Sequence, residues 1–228
     1  MNGSTGVKVT ALLVLMCLGA AGCSAPATPR SGPRGGSLAA VEVDAYKGEK
    51  LGSIADFREN SIKGPQHVDI GTYRLAVGGK VAEPATYTYD AILSKETTYT
   101  KVVTLNCVEG WSVKVLWEGV LLSDLIDRAK PDPKAVTVVF RAYDGYTTSL
   151  PLDYIRSNRI LLAYKMNGVV MPDERGFPFQ VVAQDRWGYK WAKWVTSIEL
   201  SDDPKYKGYW EQRGYSQRGL QKNGPFEP

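Results

Sequence analysis

The 228-residue chain carries 28 Lys and Arg against 24 Asp and Glu, a formal charge of +4, and 43% of its residues are apolar. So mild a balance gives no electrostatic case for a nucleic-acid partner, which would show as a clustered basic block. One histidine and three cysteines exclude zinc centres built from several Cys and His ligands, and no Walker loop, GxGxxG, HExxH or CxxCH occurs.

The chain opens MNGSTGVKVTALLVLMCLGAAGCSAP, with Lys8 ahead of an apolar run from Val9 to Gly22 and then Cys23. That run is shorter than the ~20 apolar residues of a bilayer span and has the form of a secretory signal, residues 1–22. Ala20, Ala21 and Gly22 before Cys23 resemble a bacterial lipobox, which would leave Cys23 lipidated; simple cleavage near Ala25 is the alternative. Either route predicts an extracytoplasmic protein, a membrane-anchored lipoprotein or a periplasmic one. Residues 23–37 are rich in Pro, Gly, Ser and Ala and read as a flexible tether. One domain is expected over 38–228, a length that buries a single core.

Along that domain, YRLAV (73–77) alternates as a strand and GGK turns the chain. TYDAIL (88–93) reads as a short helix with Thr88 as its cap. YTKVVTLNCV (99–108) and WSVKVLW (111–117) are strands broken at Glu109-Gly110, which puts Cys107 at a strand end beside a glycine. LLSDLIDRAK (121–130) gathers Leu121, Leu122, Leu125, Ile126 and Ala129 on one helical face before Pro131 stops it. Strands follow at 136–143 and 146–150 around an Asp-Gly turn, then a short helix from Pro151. Further strands are expected at 159–166, 179–183 and 193–200. Strands dominate and helices are short, so the fold class is α+β with a mixed or largely antiparallel sheet.

Two features point to chemistry. With Cys17 in the signal and Cys23 at the lipidation site, Cys107 has no disulfide partner in its own chain. Exported proteins normally pair their thiols, so Cys107 is either a small buried apolar residue or a thiol with a task. DRWGYKWAKW (185–194) interleaves Arg186, Lys190 and Lys193 with Trp187, Tyr189, Trp191 and Trp194 around Gly188. That suits a phosphate carried on a flat ring system, a single-stranded nucleic acid, or a core strand with solvated lysines.

TLNCVEGWSVKVLWEGVLLSDLI, FRAYDGYTTSLPLDY, LLAYKMNGVVMPDERGFPFQVV, WGYKWAKWVTSIEL and GYWEQRGY together resemble the molybdopterin-binding oxidoreductase domain of the sulfite oxidase superfamily. The style is that of small haem-free bacterial members related to the catalytic subunit of the periplasmic methionine sulfoxide reductase. The likeness runs in one order from Ile54 to Leu220. It implies a Mo-molybdopterin cofactor, with Cys107 as the catalytic thiolate ligand of the metal beside the two dithiolene sulfurs. A soft deprotonated sulfur suits such a metal. The likeness further implies that Gly188, Lys190 and Lys193 of a G-x-K-x-x-K-W motif hold the pterin phosphate, with main chain from Tyr189, Trp191 and Ala192. Arg175 and Gln180 of ERGFPFQ, and Arg58, Glu59 and Asn60 of FREN, match other cofactor-contacting stretches.

The implied activity is two-electron oxygen-atom transfer on a small sulfur or nitrogen oxo compound. Electrons would be exchanged with a separate electron-transfer protein or a membrane quinone or haem enzyme. Better-known relatives carry Asn or His in place of Arg175, Arg in place of Gln180 and a hydroxyl residue in place of Ala142, departures that argue against their substrates. No twin-arginine pair precedes the apolar run, which leaves a second reading: a cofactor-free binding module that keeps the fold.

Overall fold

The computed structural model describes residues 1–3 and 41–226. Residues 4–22 of the expected signal peptide, the lipidation site at Cys23 and the tether lie outside the described residues.

The described chain enters through a small hairpin, β1 (Ala45–Tyr46) with β2 (Glu49–Lys50). A 3-10 turn follows at Ile54–Asp56, closed by a capping box in which Ser53 Oγ accepts from Ala55 N at 3.1 Å and Asp56 Oδ2 from Ser53 N at 2.8 Å. Then come β3 (Leu75–Gly79), β4 (Ala85–Tyr87) and α1 (Tyr89–Lys95), the helix capped as expected by Thr88 Oγ1, which accepts from Ala91 N at 3.1 Å. β5 (Thr98–Asn106) and β6 (Ser112–Leu121) form a long hairpin. The remainder runs α2 (Leu122–Arg128), β7 (Thr137–Ala142), β8 (Thr147–Pro151), α3 (Leu152–Ser157), β9 (Leu161–Met166), β10 (Val169–Val170), β11 (Gln180–Val182) and β12 (Val195–Ser201).

Two five-stranded sheets result. One has the order β10-β9-β6-β5 with β11 added to β9, and all its pairs are antiparallel. The other has the order β4-β3-β12-β7-β8, antiparallel except that β12 runs parallel to β3, with Ser197 opposite Ala76. This is the mixed α+β arrangement expected from the sequence. β6 runs four residues past the expected 117 because it lies between β5 and β9, so that Leu116, Trp117, Val120 and Leu121 are all buried. Gly119 sits where the β6–β9 register shifts, and a Cβ there would stand 2.4 Å from Leu162 O. Only a glycine lets the two backbones approach so closely.

Trp117, Leu125, Ile126, Phe140, Phe179 and Ile198, each 0% exposed, mark the shared core. Burying a side chain of this size contributes about 1.5–3 kcal/mol, which is what the near-continuous buried runs of β6 and β7 and the inward positions of β12 supply. None of the described helices is long and apolar enough to cross a membrane.

Candidate active site

The β5–β6 hairpin closes through a tight turn, in which Cys107 N donates to Trp111 O at 2.9 Å and Gly110 N to Cys107 O at 3.1 Å. Glycine is favoured at the fourth turn position, and Gly110 takes φ +85°, a conformation most side chains resist. Cys107 thus occupies the first turn position, held by the longest ladder among the described residues. It is a free, buried thiol, 7% exposed.

Two side chains approach its sulfur. Asn60 Nδ2 lies 3.9 Å from Sγ, and Sγ in turn faces Glu109 Oε2 at 3.9 Å. Trp111 Nε1 donates to the same carboxylate oxygen at 3.1 Å and so fixes its aim. Burial pushes the Cys107 thiol above its ordinary value; the Glu109 charge adds to this, while hydrogen bonds from Asn60 and the turn backbone pull the other way. Without a further cation at the sulfur, the neutral thiol is the favoured form.

Cys107 lines a pocket of about 210 Å³. Its floor brings together elements far apart in sequence. The 173–175 turn contributes Arg175 and β11 contributes Gln180, both buried. Gly176 packs these against Lys193: a Cβ there would lie 3.3 Å from Gln180 Cβ and 3.1 Å from Lys193 Cβ. Arg58 and Asn60 enter from the loop after the first 3-10 turn, and Arg175 Nη1 donates to Arg58 O at 3.1 Å. Glu59 bridges Lys193 and Arg175, its Oε2 being 3.1 Å from Lys193 Nζ and 3.6 Å from Arg175 Nη2. Burial lowers the pKa of both cations, and the Glu59 charge offsets part of the cost. Two partly desolvated cations in one pocket make a receptor for an anion.

The loop 185–194 forms the next wall. A parallel bridge between Asn106 and Trp187 ties it to the end of β5. Gly188 abuts that strand: a Cβ there would be 3.3 Å from Leu105 Cδ2, 3.4 Å from Asn106 O and 3.6 Å from Cys107 Cα. Gly188, Tyr189, Trp191 and Lys193 reach the pocket. Ala192 is fully buried beside it, and its carbonyl accepts from Val181 N at 2.9 Å. Lys190 takes another direction. It is 0% exposed, and its Nζ donates to Glu211 Oε1 at 2.5 Å and to Gln217 O at 3.0 Å.

Aromatic rings complete the enclosure. Phe57 meets Trp111 and Trp117 edge-on at 5.9 and 6.2 Å, and Trp117 packs on Trp191 at 5.5 Å. Tyr146 lines the pocket beside the buried Asp144, and its hydroxyl donates to Tyr189 O. Trp210 and Tyr215, 5.2 Å apart, close the outer side. Neither is among the site residues expected from the sequence. Their signal was present in GYWEQRGY, which carries aromatics at 209, 210 and 215 in a stretch with no strand or helix period.

Among the described residues, no three His, Cys, Asp or Glu side chains gather as a metal-binding cluster. One thiol, the three cations Arg58, Arg175 and Lys193, aromatic walls and closely approaching main chain fit a group that brings most of its own metal ligands and carries an anionic tail. The fold and pocket therefore define an α+β domain with a single buried thiol in an aromatic-walled, cation-bearing pocket.

The profile of the oxidoreductase molybdopterin binding domain matches residues 62–210. The chain is 33% identical over 156 residues to an uncharacterized oxidoreductase, YuiH, of Bacillus subtilis, covering 68% of this chain and 78% of that one. It is also 30% identical over 145 residues to the protein-methionine-sulfoxide reductase catalytic subunit MsrP of Burkholderia mallei. That match takes in 57% of this chain, which spans only 44% of the length of MsrP. In structure it is similar to the sulfane dehydrogenase SoxCD of Paracoccus pantotrophus, with a TM-score of 0.58 at 22% identity over 61% of this chain and 41% of the other. The chain belongs to the oxidoreductase molybdopterin binding domain family, within the sulfite oxidase superfamily, and is an oxidoreductase of that class.

Proposed function

We propose that the protein binds Mo-molybdopterin in the Cys107 pocket and performs two-electron oxygen-atom transfer on a small sulfur or nitrogen oxo compound. The observation that carries this reading is the convergence of the thiol of Cys107 and the cations of Arg175 and Lys193 on one aromatic-walled pocket. When bound, the cofactor supplies the redox chemistry and the exchange of one oxygen atom.

The chain's own residues do the rest. Cys107 offers the metal a thiolate, so its proton must leave as the metal binds. The Glu109 carboxylate, 3.9 Å from Sγ, is the near acceptor for that proton. Arg175 and Lys193 hold the anionic part of the ligand, with Glu59 as the counter-charge that steadies them while no ligand is present. Arg58, Asn60 and Gln180, with the main chain of Gly188, Tyr189, Trp191 and Ala192, orient it. Phe57, Trp111, Trp210 and Tyr215 keep water from the reacting end, which strengthens every charge interaction inside. In this reading electrons pass to or from a separate haem protein or membrane quinone enzyme. The apolar run ahead of Cys23 supports an extracytoplasmic location with a lipid anchor at that residue.

The test is elemental analysis of full-length protein purified from its own host, with Cys107→Ser alongside. Near-stoichiometric molybdenum in the native protein and loss of oxygen-transfer activity in the variant are expected. Metal-free native protein would overturn the reading in favour of a binding module that keeps the fold without the cofactor.

A further inference from the structure

The family match ends at residue 210, yet the pocket wall continues to Tyr215. Between Trp210 and Tyr215 lies Glu211, in a 3-10 turn over Glu211–Arg213 and 1% exposed. Its Oε1 accepts from Lys190 Nζ at 2.5 Å and from Thr148 Oγ1 at 2.7 Å, and both side chains of the ion pair are 0% exposed. Lys190 also donates to Gln217 O at 3.0 Å.

Around this pair the loop 185–191 donates a series of hydrogen bonds to main-chain carbonyls of the segment 208–221. Trp187 N donates to Gly219 O at 2.9 Å, Tyr189 Oη to Ser216 O at 2.7 Å, and Arg186 Nη1 to Arg218 O at 2.9 Å. Gly219, at φ +61°, lies so near the lysine stem that a Cβ there would stand 2.5 Å from Lys190 Cγ. The lysine and the strap are built around each other.

We propose that Lys190 and Glu211 are positioning residues whose buried ion pair fixes the C-terminal strap against the cofactor loop and so sets the stance of Trp210 and Tyr215 in the pocket wall. The assignment rests on the reading of this pocket as the cofactor site. It gives Lys190 a different duty from Lys193: one amine holds the wall in place while the other faces the ligand. Deleting one partner of a buried pair strands a charge, whereas neutralising both removes the electrostatic penalty and leaves the packing. That difference separates a positioning role from a merely structural one.

The experiment uses the full-length chain made in a host that cannot synthesise molybdopterin, as parent, Glu211→Gln and the double variant Lys190→Met/Glu211→Gln. Glutamine keeps an acceptor for Thr148. Thermal melting, hydrogen exchange of residues 208–221 and the rate of iodoacetamide labelling of Cys107 are measured. The double variant should melt near the parent while its strap amides exchange about tenfold faster and Cys107 labels several-fold faster. Parent-like exchange and labelling in a normally melting double variant overturn the proposal. Loss of molybdenum from the double variant made in the native host, with exchange and labelling unchanged, also overturns it, because Lys190 would then act on the ligand directly. If the double variant does not fold, Thr148→Val decides: it removes one bond to Glu211 and no charge, so faster strap exchange supports positioning and unchanged exchange refutes it. Exchange and labelling are read without cofactor, so metal-free native protein would refute the cofactor assignment alone.

Discussion

Glu59 and Lys193, 134 residues apart in sequence, meet in the pocket with Oε2 and Nζ 3.1 Å apart. The carboxylate already engages Lys193 and Arg175, so under the proposed function an incoming anion would exchange one counter-charge for another.

Lys193→Met should therefore lower the molybdenum content of protein from the native host by about tenfold or more, the effect of a lost charge-assisted hydrogen bond of about 1.5–3 kcal/mol. Glu59→Gln should leave the content at the parental level, because it removes a competitor rather than a clamp. Metal per polypeptide, measured by mass spectrometry of the digested protein, checks both variants.

The pKa of Cys107 gives a pH test. Burial raises it, so in cofactor-free protein the reactive thiolate is scarcer at neutral pH than for an open cysteine. Iodoacetamide labelling of the peptide 102–114 should be slow at pH 7 and still climbing beyond the ~8.5 of a free thiol. A plateau below that pH would mean a cation reaches the sulfur. The same sign predicts that metal loading, which expels the proton, weakens as pH falls.

Gly188→Ala places a methyl 3.3 Å from Leu105 Cδ2 and 3.4 Å from Asn106 O. The loop must retreat from the Cys107 hairpin, at a cost of about 1–3 kcal/mol typical of overpacking. Urea unfolding of the cofactor-free protein measures this, and molybdenum content should drop with it.

Trp117→Ala removes a fully buried ring that touches both Phe57 and Trp191. A loss of about 3–5 kcal/mol is expected, read as a lower denaturant midpoint. Because those two neighbours line the pocket, Cys107 labelling should accelerate even under conditions where the variant remains folded.

Local pattern made much of this fold readable. Thr88 caps its helix, Asn106 and Ser112 bracket the turn as the Glu109-Gly110 break suggested, and Asn167 and Gly168 turn β9 into β10 with positive φ. What escaped is non-local. Neither the parallel pairing of β12 with β3 nor the short strands β1, β2 and β4 carries a periodicity long enough to announce itself. The two lysines of the G-x-K-x-x-K-W motif are also instructive. Three residues apart in a continuing 3-10 helix they would eclipse one another, but the helix ends at Lys190 and Trp191 leaves it with ψ 79°. One amine turns toward Glu211 and the other toward Glu59. That divergence depends on partners outside the motif, which the spacing alone does not encode. Trp210 and Tyr215 escaped for the same reason, since irregular backbone gives a ring no predictable face.

The alignment of β12 beside β3 joins the two ends of the domain, and the pocket draws its lining from Phe57 through Tyr215. A ribosome-bound chain truncated before its last quarter holds Phe57, Cys107 and Tyr146 of that lining but lacks Arg175, Lys193 and Tyr215, and its second sheet still awaits its central member. Contacts of such long sequence separation form late. The pocket is therefore closed only as the last strand takes its place, and the timing of that closure is written into strand order.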